Sequence, residues 1–195
     1  VQGDGVLLLV ERDGSLLAAQ DERDAVAFQA ASTMIDSEDS QIRSLAASAT
    51  ASVGADASTA QQAEAARDAV FRWITRKGLA TAFASATETV HARAGDCSEH
   101  GVLLAAVLRA QGIPARVASG LVWMDPIESF GWHMWTQALI DGAWVDLDAT
   151  LPVPFTVGHI LVATSALEDG DGQRQLMALL GLLGNLDIEI VRVDR

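Results

Sequence analysis

The stretch Arg93-Ala94-Gly95-Asp96-Cys97-Ser98-Glu99-His100-Gly101-Val102-Leu103-Leu104-Ala105-Ala106-Val107-Leu108-Arg109-Ala110-Gln111-Gly112-Ile113-Pro114 decides the fold. Gly95 breaks the run before it, and Asp96 is placed to cap a helix that starts at Cys97. Val102, Leu103, Ala106, Val107 and Ala110 make that helix apolar almost all round, which is the pattern of a central buried helix rather than a surface one. Gly112 ends it and Pro114 prevents its resumption. Cys97 is the only cysteine in 195 residues. At a helix start, unpaired N–H groups and the positive dipole end favour thiolate, so the position predicts a lowered thiol pKa, partly countered by the charge of Asp96. The backbone N–H of Cys97 is a natural oxyanion donor, and a second donor is not identifiable from sequence.

Beyond Pro114 the period changes from helical to strand-like. Ala115–Met124, His133–Asp141 and Ala143–Asp148 read as three strands, the last two joined by the turn dipeptide Asp141-Gly142, with Ile160–Thr164 and Leu186–Val193 as further strands. Gln173–Leu183 reads as a helix ended by Gly184-Asn185. Upstream, Ile42, Leu45, Ala46 and Ala49 are at helical spacing within Asp36–Ala51. Ser58 or Thr59 can cap a second helix running to about Lys77, with Val70, Trp73 and Ile74 inward and Gly78 as its stop. A short helix is expected over Ala86–Ala92, capped by Thr87. Near the N-terminus, Val6–Arg12 followed by Asp13-Gly14, with Leu16 and Leu17 beyond, reads as a strand or hairpin. These elements divide the chain into an N-terminal extension, residues 1–35, and one domain, residues 36–195.

Bulk properties agree with a single globular unit. Half of the residues are apolar and a fifth are charged, and the length suits one core. Thirteen basic against twenty-six acidic residues leave a net charge of −13, which argues against a nonspecific grip on nucleic acid. No run of about 18 apolar residues is present, so no membrane insertion is expected in this segment. A lone cysteine leaves the compartment open. A start at Val1 without Met reads as a piece of a longer or processed protein.

Cysteine, histidine and aspartate follow one another in an order suited to a nucleophilic triad. A tight turn on Asp141-Gly142 sets His133 opposite position 150, which leaves Asp148 on the same face and diagonally within reach of the imidazole. A carboxylate there can hold one ring nitrogen while the other addresses Cys97. Asp146 lies on the same face and is a rival. Cys97-x-x-His100 invites a metal reading, but with no second cysteine no metal site is expected, and no cofactor. His100 reads as a helix-face residue packed beside the site. His91 and His159 read as ordinary polar surface or hydrogen-bonded residues, and Arg93 and Arg116 as structural ion-pair or carbonyl-binding residues. Trp123 and Trp132 are candidate walls of a substrate groove, while Trp135 shares a face with His133.

The runs at 93–100 and 108–117, His133-Met134-Trp135 and Asp148-Ala149-Thr150 together resemble the transglutaminase-like superfamily, over roughly Ala66 to Leu151. The resemblance implies an α+β fold with a papain/transglutaminase-like core, a central nucleophile helix packed on an antiparallel sheet. It implies Cys97 as nucleophile, His133 as general base and acid, and Asp148 as the residue that orients the histidine, and it favours Asp148 over Asp146. Pro usually follows that aspartate in the family, so Ala149 predicts a looser turn. The calcium-binding loops of animal cross-linking enzymes are not recognisable.

The implied activity is thiol-dependent acyl transfer on peptide or protein amides, with hydrolysis and transamidation both open. The alternatives are a catalytically idle module that holds peptide in the same cleft, and another papain-like branch such as a cell-wall peptidase or an arylamine acyltransferase. A bacterial cell-envelope or periplasmic setting is carried by the resemblance alone, and oligomeric state is left open.

Overall fold

The structure, a computed structural model, describes residues 16–19, 22, 26–54, 56–78, 83–124, 128–152 and 158–170. The expected strand over 6–12, the Asp13-Gly14 turn and the two C-terminal elements lie outside these residues. Four helices and seven strands follow in chain order: β1 (Leu16–Leu17), α1 (Ser40–Val53), α2 (Thr59–Trp73), β2 (Arg76–Lys77), α3 (Ala86–Ala92), β3 (Ala94–Gly95), α4 (Cys97–Ala110), β4 (Ala115–Met124), β5 (Ser129–Ile140), β6 (Ala143–Leu147) and β7 (His159–Ser165). Five strands form an antiparallel sheet in the order β1-β6-β5-β4-β7, and β2 and β3 form a short parallel pair. The fold is α+β, with the helices packed on one face of the sheet.

Helix α4 is the expected central helix, buried along its whole length from Glu99 to Arg109. It lies on β5, where Thr136 Oγ1 donates to the Gly101 carbonyl at 2.9 Å, and Met134, Ala138 and Ile140 join Val102–Leu108 in the core. Arg109, near its end, donates to the carbonyls of Ala30, Ala115 and Ala166, tying three segments to one guanidinium. Such charge-assisted bonds satisfy backbone groups that would otherwise be buried without partners.

Two helix boundaries differ from expectation. Helix α2 ends at Trp73, not near Lys77. Arg76 and Lys77 are instead drawn into the parallel pair with Ala94 and Gly95, and the N–H groups of Thr75 and Arg76 donate to the Arg93 carbonyl, so pairing overrides helix continuation. Helix α3 is capped by Ser85, not Thr87, through a capping box with Glu88. Strand β5 starts at Ser129, four residues earlier than expected, and pairs with β4 from Ser129 to Ala138. The turn at Asp141 and Gly142 gives the anticipated β5–β6 register, Thr136 opposite Leu147 and Ile140 opposite Ala143.

Side chains alternate between the faces of the sheet. On β5 the even-numbered residues from Met134 to Ile140 face the helices, which leaves His133, Trp135 and Gln137 on the other face. Part of that second face is covered by the N-terminal region: Phe28 packs edge-on against Trp144 with centroids 5.0 Å apart, and Glu22 accepts from Arg116 at 2.5 Å.

Candidate active site

The loop into α4 is built to present residue 97. Asp96 accepts from Ser98 N–H at 2.8 Å, while Glu99 reaches back to the Asp96 N–H at 2.8 Å and to the Ala84 N–H at 2.8 Å. Gly95 is required by this arrangement, because a Cβ there would sit 2.3 Å from Glu99 Cβ. Arg93, just before it, holds a left-handed backbone (φ 52°), with its guanidinium stacked 3.9 Å over the Trp73 ring. Arg116 is structural as read, donating to Gln137 and Glu22 and stacking 4.0 Å over Trp144, whereas the contact of Arg93 is with a ring rather than the ion pair or carbonyl expected.

Cys97 is half-buried, and the backbone N–H of Met134, the residue after His133, is close enough to favour its thiolate. This is the stretch of β5 that β6, ending at Leu147, does not reach. The expected lowering of the thiol pKa is overturned. Burial pushes the thiol up to about 11, and the charges of Asp96 and Asp148 push the same way, against the N–H of Met134 and its own N–H. Desolvation of the anion outweighs the helix dipole here.

His133 and Asp148 meet as the hairpin register predicts. His133 Nε2 lies 2.7 Å from Asp148 Oδ2, and both side chains are buried. Asp148 Oδ1 accepts the Thr150 N–H at 2.7 Å. Burial alone would raise this carboxyl, yet the ring N–H groups of His133 and His159 and the Thr150 N–H outweigh it and hold the group well below the usual carboxylate range. Asp146, the rival, is two residues away and engaged elsewhere. It accepts Trp135 Nε1 at 2.6 Å and Gln137 Nε2 at 2.8 Å, and burial raises its carboxyl.

The turn after Asp148 is tied down despite Ala149 standing where Pro is usual. From α2, Arg67 donates to the carbonyls of Asp148, at 2.7 Å, and Leu151, and Lys77 Nζ donates to the Thr150 carbonyl at 3.1 Å. Ala149 is buried in the core. The looseness expected from the missing proline is therefore offset by Arg67, which composition and spacing do not single out.

His159 is the second residue that sequence reading missed. It is buried, and its Nε2 lies 3.2 Å from the same Asp148 Oδ2. Extending the expected strand over Ile160–Thr164 by one residue would have placed it beside Val122 of β4, two positions from Gly120, which faces His133. Potential ligand atoms of His133, Asp148 and His159 all lie within 4.8 Å of one another, the only such grouping of metal-ligating residues among those described. His100 is fully buried and outside this group. Its Nδ1 is 2.5 Å from the Asp96 carbonyl, and burial lowers its pKa.

The four tryptophans of the sheet divide. Trp135 and Trp144 are buried, whereas Trp123 and Trp132 are half-buried at the end of the β4–β5 hairpin, Trp123 packing edge-on against Phe130 with centroids 5.2 Å apart. Trp132 alternates to the face opposite His133, on the same side as Met134.

The profile of the Transglutaminase-like superfamily matches residues 43–149, more than half of the chain. The chain belongs to the transglutaminase-like superfamily. Its structure is similar to that of a Cytophaga hutchinsonii protein described provisionally as a cysteine protease, with 26% sequence identity and a TM-score of 0.59 over 77% of this chain and 51% of that one. The periplasmic domain of TgpA from Pseudomonas aeruginosa is a more distant likeness, at 21% identity and a TM-score of 0.45 over 64% of this chain and 45% of that one. The transglutaminase-like chain thus spans about half the length of the first of these structures. No curated protein matches it in sequence. Among the described residues no helix is long and apolar enough to cross a membrane.

Proposed function

We propose that this transglutaminase-like domain is a thiol-dependent acyl-transfer enzyme for peptide or protein amides, with Cys97 as nucleophile, His133 as general base and acid, and Asp148 as the residue that orients His133. The observation that carries the reading is the 2.7 Å bond from His133 Nε2 to Asp148 Oδ2, made one residue from Met134, whose N–H acts on the thiol. With Nε2 committed to the carboxylate, Nδ1 is the nitrogen left to take the thiol proton.

In the first step Cys97 Sγ bonds to the amide carbonyl carbon as its proton passes to His133 Nδ1, and the carbonyl electron pair moves to oxygen. Collapse of that oxyanion breaks the C–N bond, and the departing amine takes the proton from His133. The resulting thioester is resolved by water, giving hydrolysis, or by a second amine, giving transamidation. Because burial keeps the isolated thiol protonated, the thiolate is reached through proton transfer to His133 rather than as a standing anion. Trp123 and Trp132, half-buried on the Met134 side of the sheet, are the residues proposed to wall the acyl groove.

The raised thiol also favours one alternative, a catalytically idle module that binds peptide in the same cleft. Peptide- and glutamine-derived electrophiles read by intact mass separate the two. The enzyme reading expects a single adduct on Cys97, lost in Cys97→Ala and strongly slowed in His133→Ala. Peptide binding with no adduct, unchanged in Cys97→Ala, establishes the idle module instead.

A further inference from the structure

We propose that His159 is a positioning residue for this site: it donates its Nε2–H to Asp148 and so fixes the oxygen that holds His133. The inference rests on the Cys97–His133–Asp148 reading above and extends it to a fourth side chain.

A carboxylate on one Cβ can swing about its last torsion, and a single histidine does not prevent that. Here the acceptor capacity of Asp148 is taken up from three sides. Thr150 N–H holds Oδ1 at 2.7 Å, while His133 Nε2 at 2.7 Å and His159 Nε2 at 3.2 Å share Oδ2. The side chains of His159 and Asp148 are each 1% exposed, so water cannot replace the bond.

The approach of His159 is built into the sheet. Strand β7 pairs with β4, and its register shifts between Ser119 and Gly120 before Val122 meets His159. Such a bulge re-aims the side chains beyond it. A Cβ on Gly120 would lie 2.0 Å from the Ile160 carbonyl oxygen, so the backbone of β7 comes close only because residue 120 has none. Trp135 then fixes both rings, stacked on His133 with centroids 6.2 Å apart and edge-on to His159 at 5.3 Å.

A metal held by the same three residues is the other arrangement their chemistry allows. Two ligands of a tetrahedral zinc ion at about 2.0–2.1 Å stand about 3.3 Å apart. The 2.7 Å contact is shorter than that, and both ring N–H groups are directed at the carboxylate oxygen itself. The geometry is that of hydrogen bonds converging on one acceptor.

The test measures the rate of Cys97 alkylation by iodoacetamide at neutral pH, by intact mass, in the full chain and its His133→Ala, His159→Phe and His159→Gln variants, each checked for folding. His159→Phe is expected to slow labelling about tenfold or more, the usual scale for losing an outer-shell partner. His159→Gln, which keeps an N–H donor, should recover most of the rate. Wild-type labelling in His159→Phe, with His133→Ala slow, overturns the positioning role and leaves the triad reading standing. Gln as slow as Phe overturns the donor role. Wild-type labelling in His133→Ala removes the triad reading itself. Should His159→Phe not fold, histidine 15N–1H spectra of the wild type and of Asp148→Asn decide. The Nε2–H signals of His133 and His159 should both move, and movement of one alone overturns the proposal.

Discussion

The two faces of the central sheet are built from different materials. Toward the helices, Ala115, Val117, Met134, Ala138, Ile140 and Leu147 meet Val102–Leu108 in a core held mainly by area and packing, with the Thr136 hydroxyl on the Gly101 carbonyl as its polar tie. On the opposite face Arg116, Gln137, Asp146 and Trp135 form one hydrogen-bonded chain, and His133, Asp148 and His159 form another. The first face tolerates any apolar set of the right volume. The second requires each donor to find its acceptor, because an unpaired buried polar group costs more than a missing methyl. Cys97 begins the helix of the first face, and its sulfur reaches Met134, whose neighbour His133 belongs to the second. The candidate chemistry sits where packing stops and hydrogen bonding starts.

That division is most directly broken by a large change on the helix side. Leu104→Ala removes a fully buried side chain and should lower the unfolding free energy by about 2–5 kcal/mol in a denaturant titration. Labelling of Cys97 in the folded variant should stay within about twofold of wild type, as expected when two sites share no partner. A labelling loss as large as that of His133→Ala would mean that the two faces are not separable.

The converse substitution is Asp148→Asn. It keeps the shape but replaces a carboxylate that accepts three N–H groups by an amide with one acceptor oxygen, at an expected cost of about 1–3 kcal/mol. Cys97 labelling should nevertheless fall by more than in Leu104→Ala, because the imidazole loses the group that fixes its tautomer. Equal labelling in the two variants would assign Asp148 to packing only.

Acid should act on both sides of the boundary, in sequence. His100 is buried and its pKa is lowered from 6.5, so the unfolded chain binds its proton more readily than the folded one. Its contribution is full above about 6.5 and is lost as pH falls below that value. Asp148 is held below the usual carboxylate range, so its contribution is present above about 4 and lost on further acidification. Denaturant midpoints measured from pH 8 to pH 3 should therefore decline in two stages. The upper stage should shrink in His100→Gln and the lower one in Asp148→Asn, with Glu22 and Asp39, whose carboxyls are also held low by their hydrogen bonds, leaving part of the lower stage in place.

Legibility followed the same divide. Helix α4, strand β4 and the β5–β6 register were readable because periodicity and a two-residue turn report local geometry. The pair His133–Asp148 came with that register. The roles of His159 and Arg67 were not readable, since each reaches Asp148 or its turn from a distant element, and the periodicity that places their helix and strand does not say what their side chains meet. The thiol misled for a related reason. The helix start at Cys97 is visible in sequence, whereas the burial and the two carboxylates that outweigh it depend on packing. The end of α2 at Trp73 likewise depends on a strand partner eighteen residues further along, Ala94 for Arg76.

The smallest expected effect tests a local feature against a tertiary one. Helix α3 leads through Arg93 into the loop that presents Cys97, and its first turn is closed by Ser85 Oγ accepting the Glu88 N–H at 3.2 Å while Glu88 accepts the Ser85 N–H at 2.9 Å. Ser85→Ala removes the cap and should cost about 1 kcal/mol. Thr87 lies inside the helix, and its hydroxyl donates to Asp36 at 3.3 Å, so Thr87→Ala should cost less. The order matters because Thr87 is the cap read from sequence, and the reciprocal bond to Glu88 gives that role to Ser85 instead. Neither substitution touches Asp96, Glu99 or Met134, so Cys97 labelling should be unchanged in both. A larger loss in Thr87→Ala would reverse the cap assignment. Slower labelling in Ser85→Ala would show that the helix side does transmit to the thiol, through the Ala84 N–H that Glu99 accepts.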